Sequence, residues 1–387
     1  MKSGGKLTTP CRMRRLPVAF SMIFKRRTGS NSATRRTAFA NRSPTYAPTG
    51  QRPSKVLRLI SVHGLLVLLL ALIGTFSLLR PETFPTAVNF QAITSARAVV
   101  ALLALAVMIP LAANEFDLSV GYVVGLGHIL AVGLQVRSYL PWQAAALLVV
   151  LAGAGVGALN GVLVTRFRIS SFIATLGTGT FVYGVSQWYT GGEQIVGRKY
   201  PGGFLLLSEN VGPVPFSLIL VLAVAVMLWI AFEYMVQGRF LYVIGSNQRA
   251  ADLTGIPSAR YKVLAFVASG TLTGIAGVLL GSELRVGQST VGADFLLPAF
   301  AGALLGATSV KPGRVNVWGT LLAVSVLAVA VSGLQQLGAD FYVEPLFNGA
   351  MLVLAVGLAE YARRRRERSM AVHRNAETSR SGEVLTK

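Results

Sequence analysis

The sequence has almost none of the residues that build disulfides or metal centres. Cysteine occurs once in 387 residues, as Cys11, which excludes an intrachain disulfide and a site with several cysteine ligands. The three histidines, His63, His128 and His373, are scattered, and none has the spacing of a metal-binding motif. We therefore expect no metal site and interpret these histidines as packed or interfacial side chains.

Motifs for nucleotide binding and catalysis are also missing. No stretch fits the phosphate-binding pattern GxxxxGK[ST], because SGGKL near the amino terminus lacks the first glycine at the required spacing. The HExxH motif is absent, and no nucleophile–base or paired intramembrane carboxylate set is visible. The sequence thus predicts a protein that is not an enzyme.

Acidic residues are few, and basic residues are concentrated at the two ends of the chain. There are 15 Asp and Glu against 36 Lys and Arg, which gives a formal net charge of +21. Fourteen of the basic residues precede Leu59 and eight follow Tyr361. This distribution is typical of the cytoplasmic flanks of a membrane protein, and we interpret it in that way rather than as a nucleic-acid-binding surface.

The amino-terminal segment, residues 1–55, has no acidic residue and is rich in Arg, Ser and Thr. Its composition is typical of a disordered cytoplasmic tail, and it also resembles an organellar transit peptide. A third interpretation is an over-long start assignment, since Met13 and Met22 provide later starts. We favour a tail or a later start, and we interpret residues 362–387 as a second basic cytoplasmic tail.

Apolar runs dominate the rest of the chain, which is 53% hydrophobic and 13% charged overall. Runs near the roughly 20 residues that cross a bilayer recur between Leu59 and Tyr361. The sequence predicts an all-α polytopic membrane protein with a transmembrane domain over residues 56–361, about ten transmembrane helices and cytoplasmic termini. The approximate spans are 59–79, 92–112, a third ending near 135, 144–165, 171–189, 216–235, 263–284, 294–308, 315–337 and a tenth ending near 360.

Glycines recur at four-residue spacing within these spans. Small residues let membrane helices approach closely, so van der Waals contact can hold them together. We predict tight helix packing at these positions. They are Gly121/Gly125, Gly153/Gly157/Gly161, Gly270/Gly274, Gly277/Gly281 and Gly302/Gly306.

Polar side chains within the predicted spans are scarce, and they are the candidates for lining a path for a neutral polar substrate. The candidate residues are Asp117, Ser119, Asn160, Phe172, Thr175, Thr178 and Asn348. An intramembrane ionisable residue is a functional candidate by default, although Asp117 also stands where it can cap the third span. The acidic segment NEFDLS suggests that Glu115 and Asp117 lie partly within the protein. The segment 172–180, FIATLGTGT, predicts either an interrupted helix that lines a cavity or an ordinary helix with Gly and Thr packing.

A polar interval at 238–262 separates the sixth and seventh spans. Ser246 and Asn247 are candidate caps, because a short side-chain oxygen accepts a hydrogen bond from an orphan backbone N–H group. Residues 248–254 then predict two helical turns, Gly255 ends them, and Pro257 prevents their continuation. We expect a short docking helix outside the bilayer.

Six segments then match one family in order. They are FDLSVG (116–121), NGVLVTRFRISSFIATLGT (160–178), TGG (190–192), GRFLYVIGSNQRAADLTGI (238–256), GALLGATS (302–309) and VWGTLL (317–322). Over about residues 56–361 the chain resembles the membrane-spanning permease subunits of bacterial ABC importers, in the ribose/simple-sugar branch.

The resemblance implies import of a simple sugar, a ribose-like monosaccharide or related polyol, across the bacterial inner membrane by alternating access. It implies a second permease copy, identical or not, an extracytoplasmic solute-binding protein, and two cytoplasmic ATPase subunits that bind ATP and Mg, with no cofactor on this chain. It also implies that the interval 238–262 is a coupling loop seated on the ATPase. The residues that match the family's coupling pattern are Asn247, Ala250, Ala251, Leu253 and Gly255.

The sequence departs from the family pattern at three places. Gln248 and Arg249 stand where acidic residues are common, NEFDLSVG replaces GGIDLSVG, and Ser332-Gly333-Leu334 replaces NGL. Two alternatives remain open at this point. One is the related branched-chain amino-acid permease branch, and the other is a stand-alone secondary transporter or channel, against which the scarcity of intramembrane acids counts.

Overall fold

The computed structural model describes residues 55–354 and 357, all within one compact unit, Pro53–Lys387. The predicted tails, residues 1–55 and 362–387, lie outside these residues apart from Lys55, and so does the end of the tenth span. Within the described residues the chain is mostly helical, with very little strand. The longer helices are α1 Lys55–Leu79, α2 Ala87–Ala112, α3 Val120–Arg137, α4 Trp142–Thr165, α5 Ser171–Thr190, α7 Phe216–Glu233, α10 Ser258–Leu284 and α12 Val317–Gln336. The shorter ones are α6 Gly202–Leu205, α8 Val236–Ser246, α9 Gln248–Leu253, α11 Leu296–Gly306 and α13 Val343–Leu354.

Six of these helices are long and apolar enough to cross a membrane: α2, α3, α4, α7, α10 and α12. The chain is therefore a polytopic helical membrane protein. Shorter apolar helical stretches occur at His63–Leu79, Val291–Gly306 and Val343–Leu354. Each of the ten predicted spans overlaps a helix, and the count of ten membrane crossings stays a prediction.

The middle of the bundle is α2. Every residue from Ala98 to Ile109 is buried, so this helix is surrounded on all sides, and α3, α7, α10, α11 and α12 all contact it. Its amino end is capped by Thr86, whose hydroxyl accepts a hydrogen bond from the Asn89 N–H at 3.2 Å.

Glycines bring α4 and α10 into backbone contact. A Cβ on Gly153 would collide with the carbonyl of Gly270, and one on Gly161 would lie 2.8 Å from the Cα of Val263. A Cβ on Gly277 would lie 2.9 Å from the Cα of Gly127 in α3. The predicted close packing is therefore confirmed at these positions, where only hydrogen fits between the helices.

Two small antiparallel ladders lie in the connections between helices. Strand β1, Ile195–Val196, pairs with β4, Val286–Gly287. The second ladder is the hairpin of β2, Asn210–Val211, with β3, Val214–Pro215. The first ladder joins segments far apart in sequence, so it ties the connection before α7 to the one after α10.

The interval 238–262 is more helical than the sequence predicted. Helix α8 occupies most of its first half, and α10 already begins at Ser258. The expectation of a loop with a single short helix was therefore wrong in extent. The physical reason is that Leu241 and Ile244 of α8 are buried against the bundle core, and this tertiary burial stabilises a helix of 11 residues that would be too short to be stable alone.

The segment 172–180 lies within the continuous helix α5. The interpretation as an interrupted helix was therefore wrong, and the alternative, an ordinary helix with Gly and Thr packing, is confirmed. Three threonines of α5 donate to a carbonyl one turn earlier, which keeps their hydroxyls satisfied within the helix. These are Thr175 to Ser171, Thr180 to Leu176 and Thr190 to Ser186.

Candidate functional site

Helix α9 is defined by a cap at one end and a glycine at the other. The Oδ1 atom of Asn247 accepts a hydrogen bond from the Ala250 N–H at 3.0 Å, as predicted. Gly255 has a φ of 82°, a left-handed conformation that glycine adopts without a Cβ penalty. The second candidate cap, Ser246, was wrong, because its hydroxyl donates to the Val243 carbonyl at 2.8 Å in the last turn of α8.

One side of α9 is anchored and the other is exposed. The side chain of Ala251 is fully buried, whereas Leu253 is 89% exposed. Ala250 and Asn247 also lie on the exposed side. The helix therefore presents a largely free surface with an apolar side chain on it, which is typical of a contact site for another protein.

Helix α8 holds α9 against the bundle. Gly245 lies so close to the end of α2 that a Cβ there would collide with the carbonyl of Ala112. The adjoining turn of α8 carries Tyr242, whose hydroxyl donates to the Val315 carbonyl at 2.7 Å. These contacts fix α8 both to the end of α2 and to the connection between α11 and α12.

The environment of Tyr242 keeps its hydroxyl protonated. Burial raises the pKa of Tyr242 to about 12; the negative charge of Glu233 acts in the same direction and the positive charge of Arg314 opposes it. The Arg314 guanidinium carbon lies 5.6 Å from the Tyr242 ring centroid. Nearby, Lys311 forms an ion pair with Glu233 in which both side chains are about half exposed.

Four predicted pathway residues form one hydrogen-bonded chain across three helices. The Ser119 hydroxyl donates to Asp117 Oδ1 at 2.6 Å, and Asn160 Nδ2 donates to Ser119 Oγ at 2.9 Å. The Thr178 hydroxyl donates to Asn160 Oδ1 at 2.5 Å. The chain links the start of α3 to α4 and α5, and we call it the polar chain.

Asp117 acts as a structural anchor in this chain. Its Oδ1 also accepts from the Ser119 N–H at 3.1 Å. Ser119 is itself the N-cap residue of α3, and this helix has no side-chain cap, so the prediction that Asp117 caps the third span was wrong. Its Oδ2 accepts from the Ser269 hydroxyl of α10 at 2.9 Å. With 1% exposure, the carboxylate is engaged on both oxygens, as buried carboxylates require. Ser269 was missed, because nothing in its local sequence distinguishes it from other span serines.

Thr175 belongs to a second set of contacts beside the polar chain. Its hydroxyl oxygen accepts from the Leu118 N–H at 2.9 Å. One turn earlier on α5, Ser171 Oγ accepts from the Phe116 N–H at 3.1 Å. The connection between α2 and α3 is therefore pinned to α5 through its backbone, at two points that the sequence did not reveal.

The two remaining pathway candidates lie elsewhere. Phe172 is 52% exposed and lines a polar chamber of about 790 Å³. The α2–α3 connection, the start of α5, α9 and the start of α10 also line this chamber, through residues that include Glu115, Gln248 and Lys262. Asn348 is buried on α13, and no hydrogen bond joins it to the polar chain among the described residues.

A second cavity of about 740 Å³ is lined mainly by apolar side chains of α1, α2, α7 and α12. Arg97 lies on its wall and forms an ion pair with Glu344. The Arg97 charge is thereby balanced at a position where both side chains are largely shielded from solvent. Within the described residues, no group of three or more Asp, Glu, His or Cys side chains is arranged to hold a metal ion.

Comparison with known proteins identifies the family. The family model for the permease component of the branched-chain amino acid transport system matches residues 89–356. The chain belongs to this permease family. The expectation of a transport permease rather than an enzyme is thereby confirmed.

Individual relatives match most of their own length. The ribose import permease protein of Bacillus subtilis is 33% identical over 291 residues, 74% of this chain and 89% of that protein. The ribose import permease protein of Escherichia coli K12 is 30% identical over 299 residues, 75% of this chain and 91% of that protein. The L-arabinose ABC transporter permease protein of Azospirillum brasilense is 30% identical over 334 residues, 82% of this chain and 92% of that protein. No solved structure matches this chain.

Proposed function

We propose that this chain is the membrane-spanning permease subunit of an ATP-driven importer for a simple sugar, a ribose-like monosaccharide or a related polyol. The observation that carries the proposal is the match to the ribose and L-arabinose permeases over about nine-tenths of their length.

In the proposed topology, the chain crosses the inner membrane of a bacterial cell ten times, and both of its termini lie in the cytoplasm. The distribution of basic residues supports it. With that topology, 30 of the 36 Lys and Arg fall on the cytoplasmic side and Arg97 falls within the second span, while only Arg80, Arg137, Arg198, Lys199 and Arg285 fall outside. Such an asymmetry is the main determinant of orientation in membrane proteins.

The proposed motor is a pair of cytoplasmic ATPase subunits, which would bind ATP and Mg, since this chain carries no P-loop. Helix α9 would be the contact. Leu253 would enter an apolar groove of the ATPase, with Ala250 beside it. Ala251 would hold the helix to the bundle, and Asn247 and Gly255 would fix its two ends. The ATPase cycle would then move α9 as a rigid element.

The remaining partners are a second permease copy and an extracytoplasmic solute-binding protein. Helix α5 supports the first of these, because it carries large exposed side chains, including Phe181 at 72% and Trp188 at 81%. Such a face can pack against another chain or against lipid. The solute would pass along a path near α5 and the polar chain, exposed alternately to each side.

Reconstitution tests this proposal. The chain would be placed in liposomes with the ATPase and the solute-binding protein of its own transporter, and uptake of labelled ribose and labelled leucine would be compared. We expect sugar uptake that requires ATP and the binding protein. Leucine uptake instead would favour a branched-chain amino-acid importer. Uptake by the chain alone, driven by an ion gradient, would favour a stand-alone transporter and overturn the proposal.

A further inference from the structure

One lysine joins the proposed docking helix to the interior of the bundle. Lys262 of α10 forms an ion pair with Glu115, and its Nζ also donates to Gln248 Oε1 at 2.9 Å. The three residues belong to three different elements. Gln248 is the first residue of α9, Lys262 lies in the second turn of α10, and Glu115 lies in the connection between α2 and α3. A single ammonium group therefore holds these elements together.

We propose that Lys262 is a positioning residue that transmits the movement of α9 to the α2–α3 connection and so to the solute path. The inference rests on the proposed function and adds the residues through which the ATPase would act. We call Gln248, Lys262 and Glu115 the lysine link.

The ion pair of the lysine link is largely shielded from water, whereas Gln248 is exposed. The side chains of Lys262 and Glu115 are only 9% and 14% exposed. An ion pair in such surroundings is hardly screened, and separating it would leave two poorly solvated charges. Movement of α9 that draws Gln248 and Lys262 along would therefore carry Glu115 with it.

Beyond Glu115, the α2–α3 connection leads directly to the residues of the candidate path. The next residue, Phe116, is bonded through its N–H to α5, as is Leu118. Between them, Asp117 is bonded to α3 and α10 and begins the polar chain. The connection thus has two ends: one faces α9 and the other is fixed to helices along the path.

The chamber beside the lysine link gives α9 room to move. Its volume of about 790 Å³ lies between α9, the α2–α3 connection and the start of α5. Helix α9 meets the bundle mainly through one buried alanine and through Gln248. Few contacts therefore resist a displacement of α9. Among the described residues, the polar contact between α9 and the bundle is the hydrogen bond of the lysine link.

The test measures solute molecules imported per ATP hydrolysed by the complete transporter in liposomes, using labelled ribose or leucine, whichever the wild type carries. Gln248→Ala removes one bond from an exposed position and leaves the ion pair, so folding is preserved. We expect it to lower the ratio at least threefold. Lys262→Met is expected to lower the ratio at least tenfold while ATP hydrolysis continues, and Lys262→Arg is expected to recover most of it.

Lys311→Met is the matched control. Lys311 also pairs with a glutamate, but that pair is about half exposed and touches neither α9 nor the α2–α3 connection. For Lys311→Met, the number of solute molecules imported per ATP hydrolysed should stay within twofold of the wild-type value. Unchanged ratios in Gln248→Ala and Lys262→Met, or an equal fall in Lys311→Met, would overturn the lysine link. Because the ratio is measured with either solute, a failure of the sugar assignment would not be confused with a failure of this inference.

Discussion

The glycine contact between α4 and α10 allows a comparison within a single helix. Gly161 and Gly155 both belong to α4. A Cβ on Gly161 would lie 2.8 Å from the Cα of Val263, whereas a Cβ on Gly155 would meet nothing within 4 Å. The changes Gly161→Ala and Gly155→Ala therefore add the same methyl group to the same helix, once against backbone and once in open space.

The expected magnitudes follow from this geometry. Carbon atoms pack at about 3.5–4.0 Å, so the helices would have to separate by about 0.7 Å at Gly161, and a gap of that size forfeits a quarter to a half of the dispersion energy of the contacts that it opens. Overpacking of this kind costs about 1–3 kcal/mol. Replacing glycine by alanine in a helix gains up to about 1 kcal/mol at both positions, and this gain cancels in the comparison.

We expect Gly161→Ala to be about 1–3 kcal/mol less stable than Gly155→Ala. The measurement is the free energy of unfolding of the purified chain in mixed micelles, titrated with a denaturing detergent. If the two variants agree within about 0.5 kcal/mol, the helices relax without cost, and the reasoning from close packing is wrong.

Four further predictions concern α8, α9 and the polar chain. Gly255→Val places a β-branched residue at a φ of 82°, which costs about 1–3 kcal/mol, so we expect normal membrane insertion with loss of uptake; unchanged uptake would refute a coupling role. Leu253→Asp, at a position 89% exposed, should weaken co-purification with the ATPase at least tenfold without changing the stability of the chain, and equal recovery of the ATPase would exclude this contact. Asn160→Leu removes two hydrogen bonds within the polar chain and should destabilise the chain by about 1–3 kcal/mol in the same unfolding titration. Tyr242→Phe should lower the free energy of unfolding by about 1 kcal/mol, because the hydrogen bond to the Val315 carbonyl is lost. The pKa of Tyr242 is raised from 10.0 to about 12 in the folded protein, so its stabilisation is fully present below pH 10 and is lost between pH 10 and 12. A wild-type protein that stayed more stable than Tyr242→Phe above pH 12 would contradict the role given to this hydroxyl.

The parts of the site that the sequence predicts well depend on local chemistry. The start and end of α9 follow from Asn247 and Gly255, since a cap and a left-handed glycine act within a few residues of their own position. The polar chain was predicted only in part. Ser119, Asn160 and Thr178 were singled out as polar residues in apolar spans, but as residues that line a path, and the hydrogen bonds that join them were not predicted.

The parts that could not be predicted depend on long-range contacts. Glu115 was expected to lie within the protein, but its partner, Lys262, is 147 positions away, and no local pattern joins them. Helix α8 was missed because its stability comes from burial of Leu241 and Ile244 in a core built by distant helices. The buried partner Ser269 was hidden for the same reason.

The enclosed position of α2 has a consequence for biogenesis. Its main partner α10 begins about 150 residues later in the chain, which at about 5–20 residues per second corresponds to roughly 7–30 s of synthesis. During that interval the surface that later becomes the centre of the bundle is in contact with lipid. The stretch from Ala98 to Ala113 carries no charged or strongly polar side chain, so it is stable there without its neighbours. The apolar composition of α2 therefore serves two stages. It allows the helix to lie in lipid before its partners are synthesised, and it forms the centre of the core in the folded bundle.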